Sequence, residues 1–101
     1  VRSEDCLQTV QLDQLTEQIR RCDAVVAAFP TNPGPLNDRY LLHSLAGNEA
    51  AACADINRAA ALARSKSPAS LGPQLRTDLN LRQQLCREGK AMGASQAQPQ
   101  P

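Results

Sequence analysis

A chain of 101 residues with a formal net charge of +1 lacks the basic surplus that a nucleic-acid-binding face requires. With one Phe, one Tyr, no Trp and much of its 42% apolar fraction supplied by alanine, it is also short of base-stacking side chains. The same composition limits the core: at about 25 cal/mol per Å² of buried apolar surface, alanine contributes little, and a chain this short calls for staples.

The N-terminal run Val1-Arg2-Ser3-Glu4-Asp5 is polar from its first residue. No apolar run approaches the roughly 20 residues of a membrane span. If the protein is exported, the chain is therefore expected to be the mature form, its leader already removed. Leu12, Leu15, Ile19, Cys22, Val26 and Phe29 recur at three- and four-residue steps, which predicts a first helix with one apolar face. Gln14, Glu17, Gln18, Arg20 and Arg21 take the other side. Thr9 and Asp13 are the candidate caps, and Pro30 ends the helix. Cys6, Leu7 and Val10 are out of phase with the stripe and suit a lead-in turn or a bent extension.

Pro30-Thr31-Asn32-Pro33-Gly34-Pro35 places three prolines and a glycine within six residues, a strong loop signal. Asn37 or Asp38 then caps a second helix with Tyr40, Leu41, Leu42 and Leu45 as its apolar face. Gly47-Asn48 interrupts it, and Asn48 followed by Glu49 reads as a new N-cap with an acidic first turn; both a kinked helix and two separate helices fit. Glu49 to Ala63 is alanine-rich, with Ala52, Cys53, Ile56, Ala60 and Ala63 along one side, a face that lets a neighbouring helix approach closely. Ser65-Lys66-Ser67-Pro68 ends it. Ser70-Leu71-Gly72-Pro73 opens a last helix with Pro73 in its first turn. Leu75, Leu79 and Cys86 line one side of that helix, Leu81 and Leu85 widen the stripe, and Gly89 or Gly93 ends it. Residues 94–101, rich in Ser, Gln, Ala and Pro, read as a disordered tail following a single helical domain over 1–93.

Cys6, Cys22, Cys53 and Cys86 are dispersed, with no CxxC pair and no cysteine near His43, the only histidine. A structural zinc site normally shows closely spaced ligands, so no metal is expected, and the cysteines read as two disulfides, each contributing about 2–4 kcal/mol. Four buried free thiols are the competing reading. On one straight helix Cys6 and Cys22 would lie roughly 24 Å apart. Cys6–Cys22 with Cys53–Cys86 therefore needs a folded-back N-terminus, whereas Cys6–Cys53 with Cys22–Cys86 does not; both pairings stay open. The fold class expected is all-α, a small antiparallel bundle or array of three to four helices stapled by two disulfides.

No arrangement of residues marks catalysis. His43 has no nucleophilic partner identifiable in sequence and reads as a partly exposed surface residue. The ten carboxylates are scattered along the helices as dipole and ion-pair partners rather than as a facing pair. No enzyme activity and no cofactor is expected. The candidate partner-binding residues are Pro33 and Pro35 in the stiff loop, the adjoining Arg39 and Tyr40, because Arg and Tyr favour binding hot spots, and Leu81 and Leu85, whose leucine surface suits an amphipathic helix. Beside each stands a plainer reading, Tyr40 and the two leucines as core and the loop as a connector. These features suggest a non-enzymatic protein-binding module: an inhibitor, an immunity protein or a secretion-system accessory of the pilotin kind. Paired cysteines place it in the periplasm or the secreted space, and the Ala, Arg, Leu and Gln bias with sparse Lys suggests a bacterial genome. A carrier of a small hydrophobic ligand between helices is the alternative, against which the alanine-rich interior argues for close packing.

Overall fold

In the computed structural model, which describes residues 1–8 and 10–89, every regular element is helical. The helices are α1 (Leu15–Ala28), α2 (Pro33–Leu45), α3 (Glu49–Arg64), the one-turn α4 (Pro68–Leu71) and α5 (Pro73–Arg87), preceded by 3-10 turns at Asp5–Leu7 and Leu12–Gln14. This is the small all-α array expected, with α4 as an additional turn. Among the described residues no helix is long and apolar enough to cross a membrane. The expected cap Thr9, the terminator Gly93, the domain limit at 93 and the tail over 94–101 lie outside the described residues.

Asparagines define two of the helix starts. The Asn32 side chain accepts a hydrogen bond from the Gly34 amide at 2.9 Å, and Asn48 accepts one from Ala51 at 3.1 Å. Each satisfies an amide that the first turn leaves without a partner. Gly47 between α2 and α3 sits at φ 78°, a left-handed conformation favouring glycine, so the chain reverses there and the two helices are separate rather than kinked. Gly89, at φ 69°, follows α5 in the same conformation.

The expected loop over 30–35 is shorter than its prolines suggest. Pro30 does end α1, but α2 already begins at Pro33, four residues before the Asn37 or Asp38 cap that the sequence suggests. Prolines at the first and third positions of a helix forfeit amides that would have had no intrahelical partner, so they are tolerated there. The cap of α1 also differs from expectation. Gln14, not Asp13, holds the N-cap position and makes no side-chain capping bond.

The register of α1 is rotated relative to the predicted stripe. Gln18, Cys22 and Val25 are its buried residues, Ile19, Val26 and Phe29 are half-buried, and Leu12 is 72% exposed. Gln18 moves inward because the N-terminal segment folds over it: its Nε2 donates to the Cys6 carbonyl at 2.6 Å. The same fold-back brings Cys6 to Cys22 with a Cα–Cα distance of 4.5 Å, while Cys53 and Cys86 join α3 to α5. The four cysteines are thus all paired, in the arrangement that requires a folded-back N-terminus.

Two apolar clusters result, and α2 contributes to both. Leu36 and Tyr40 pack with Ala52, Ile56, Ala59 and Leu79, whereas Leu42 packs with Cys6, Cys22 and Val25. Half-buried Val26 bridges them. Leu45, expected in the apolar face of α2, is 39% exposed, since that helix ends at Leu45 itself.

Candidate functional site

Arg39, on the second turn of α2, is the most connected charged residue described. Its Nε and Nη2 donate to the two carboxylate oxygens of Asp55 on α3 at 2.7 and 2.8 Å, and its Nη1 donates to Asp23 on α1 at 2.9 Å. One guanidinium therefore ties three helices together. Its planar geometry makes this possible, matching a carboxylate with two parallel hydrogen bonds while leaving a further N–H for a second acceptor. The Asp55 side chain is only 8% exposed and that of Arg39 20%, so the pair is held largely away from water. The Asp55 hydrogen bonds hold the Arg39 guanidinium above its ordinary pKa, with burial opposing. His43, one turn further along α2, is partly exposed as expected, but its side chain turns inward, with Nε2 3.6 Å from Asp55 Oδ2. The residues with most chemical potential, Arg39, His43 and Asp55, thus face one another inside the helix junction.

A second network lies between α2 and α5. The Arg82 guanidinium sits 5.0 Å from the centroid of the Tyr40 ring, a cation–π distance. Its Nη1 donates to the carbonyl and Oδ1 of Asn37, both at 3.0 Å. Asn37 Nδ2 donates in turn to Asp78 at 3.0 Å, and Gln74 to the other Asp78 oxygen at 2.9 Å. Asp38 stands beside this network. Burial raises its carboxyl pKa to about 6, with the charge of Asp78 adding to the shift and that of Arg82 opposing it.

The six sequence candidates do not form one surface. Pro33, Pro35 and Tyr40 are buried, Pro35 beneath the Cys6–Cys22 bridge, whose sulfurs lie 3.9 and 3.8 Å from its carbonyl oxygen. Arg39 is committed to its two carboxylates. Leu81 is 54% exposed and Leu85 half-buried, so of the six it is Leu81 that offers the most open side chain.

Three open grooves border α4, and Leu71 lines all of them. One, of about 370 Å³, lies beside Lys66 and Ser70; the other two carry opposite charges. The larger, of about 580 Å³, runs between the N-terminal segment, the start of α2 and the start of α5; Glu4, Asp38 and Asp78 are its charged residues, over Pro35, Pro73 and Leu75. The other, of about 340 Å³, lies between the end of α3 and the start of α5, with Ala60, Ala63, Leu71 and Leu79 beneath Arg64 and Arg76. One groove thus carries only acidic charges and the other only basic ones. In the sequence Arg64 and Arg76 look like ordinary surface charges twelve positions apart. The one available signal was the break at Leu71-Gly72-Pro73, with Gly72 at φ 80°, which turns α5 back alongside the alanine face of α3.

Among the described residues no group of three or more His, Cys, Asp or Glu side chains is placed to hold a metal ion. No family model, curated protein or solved structure matches the chain.

Proposed function

We propose that this protein is a non-catalytic protein-binding module of an oxidising compartment, the bacterial periplasm or the secreted space, acting as an inhibitor, immunity protein or secretion-system accessory. The observation that carries this reading is the pair of oppositely charged, apolar-floored grooves on either side of Leu71. They are displayed on a frame tied by two disulfides and the Arg39 node. A braced frame loses little conformational entropy on association, and charge arranged around apolar ground favours a specific partner over nonspecific adhesion. Paired cysteines persist in oxidising compartments, which supports the location.

The test is native mass spectrometry of the full chain purified from its source without reductant. The expected result is a stoichiometric complex with one protein. A chain carrying bound lipid and no protein would contradict the reading and favour the hydrophobic-ligand carrier.

A further inference from the structure

Deepening that reading, and resting on it, we propose that the groove between α3 and α5 binds an acidic peptide segment of the partner, with Arg64 and Arg76 taking its carboxylates. Three observations converge. First, no described carboxylate pairs with either arginine; the same holds for Arg21, Arg58, Arg82 and Arg87, but only Arg64 and Arg76 share one groove with an apolar floor. Second, Arg76 stands in the fourth position of α5, at the positive end of the helix dipole, and α5 has no acidic residue in its first turn. A cation there is locally unfavourable, so an anion brought to Arg76 offsets the helix dipole as well as forming an ion pair. Arg64 has a sufficient local role at the C-terminal end of α3, but that role does not account for Arg76.

Third, the ground between them suits a peptide. Ala60 and Ala63 leave room above Leu79 for short apolar side chains, and the amides of Asn80 and Gln83 at the groove wall match backbone N–H and C=O groups. Gln83 Nε2 already donates to Asn57 at 3.2 Å, which fixes that amide's orientation. A fatty-acid tail needs a longer enclosed apolar channel than two alanines and two leucines in an open groove provide, and nucleic acid would need a wider basic face than two arginines. An acidic segment with interspersed apolar residues satisfies both the charge and the floor. Guanidinium groups take carboxylates in a bidentate fashion, so Glu or Asp side chains separated by one residue on an extended segment can engage the two sides.

The experiment is a nitrogen-15 NMR titration of the full, disulfide-intact chain with the acetylated, amidated peptide Leu-Glu-Leu-Glu-Leu, with the Leu-Lys-Leu-Lys-Leu peptide and sodium laurate as comparisons. The acidic peptide is expected to shift the amides of Ala63, Arg76, Asn80 and Gln83, and to bind at least about fivefold more weakly to the Arg64→Gln/Arg76→Gln variant. Arg87→Gln, on the same helix outside the groove, should bind as the unaltered chain does. Absence of binding by the acidic peptide, equal binding by the lysine peptide, or equal binding by the double variant would overturn the proposal. Arginine-dependent binding of laurate in preference to the peptide would overturn it too. A stoichiometric native protein complex alongside any of those failures would leave the protein-binding reading standing and remove only this groove from it.

Discussion

Replacing Arg39 with Met retains most of its aliphatic bulk and removes the charge that faces Asp55. The carboxylate left behind is 8% exposed and loses both of its short hydrogen bonds, keeping only His43 Nε2 at 3.6 Å. Stranding one member of a buried ion pair costs about 3–5 kcal/mol. Arg39 itself keeps 20% exposure, which admits some water to the site, so about 2–3 kcal/mol is the expected loss. The Asp23 contact adds little, since that carboxylate is 55% exposed. For a domain of this size the corresponding fall in Tm is roughly 10–20 °C. Urea titration followed by far-ultraviolet circular dichroism measures the change. Arg39→Met/Asp55→Leu strands no charge and is expected to be more stable than Arg39→Met alone, a coupling of about 2 kcal/mol. A loss below about 0.5 kcal/mol for Arg39→Met, or additive effects in the double variant, would refute the reasoning that this node braces α1, α2 and α3.

Other expectations follow from burial and charge. Cys6 and Cys22 are fully buried whereas Cys53 and Cys86 are half-buried, so limited dithiothreitol should open Cys53–Cys86 first, read by alkylation and peptide mapping. Closing loops with sequence separations of 16 and 33, the two bridges are expected to contribute about 3 and about 4 kcal/mol respectively. Asp38 has its carboxyl pKa raised from 3.8 to about 6, so the folded state holds the proton more tightly than the unfolded chain. Its contribution is fully present below pH 4 and lost as pH rises through about 6. Asp38→Asn should therefore flatten the stability–pH profile between those limits and raise stability at pH 7 by about 1 kcal/mol, after allowing for solvent screening at a half-buried site. Ser44 Oγ is buried without a hydrogen-bond partner, so Ser44→Ala should be neutral or stabilise α2 by up to about 1 kcal/mol in thermal unfolding.

Local chemistry made much of the fold legible. Asn48 following Gly47 announced a reversal and a fresh helix, and cysteines without paired spacing announced disulfides rather than a metal site. Proline was legible as a stop for α1 but misleading as a loop marker, because at the first turn of α2 its missing amide costs nothing. The register of α1 was hidden for a different reason. Burying Gln18 depends on a hydrogen bond to the Cys6 carbonyl, and that bond exists only once the N-terminal segment has folded back. The same long-range event decided the cysteine pairing, which helical rise alone could not.

The site was less legible than the fold. Tyr40 and Arg39 are neighbours in sequence, yet one is buried beneath Arg82 and the other tied to carboxylates on α1 and α3, so neither is available as a flat recognition patch. Arg64 and Arg76 become a pair only through the turn at Gly72, which sets the start of α5 beside the end of α3. Periodicity ranks residues by apolar face, and it is silent about which exposed charges are left without partners.

The most direct test of the account is site-specific photo-crosslinking in the native host. A photoreactive amino acid at position 83, in the basic groove, or at position 74, in the acidic one, is compared with one at position 20 on the exposed side of α1. One protein adduct is expected from position 83, lost with Arg64→Gln/Arg76→Gln, and none from position 20. Equal labelling from all three positions, or an adduct at position 83 that survives loss of both arginines, would contradict it.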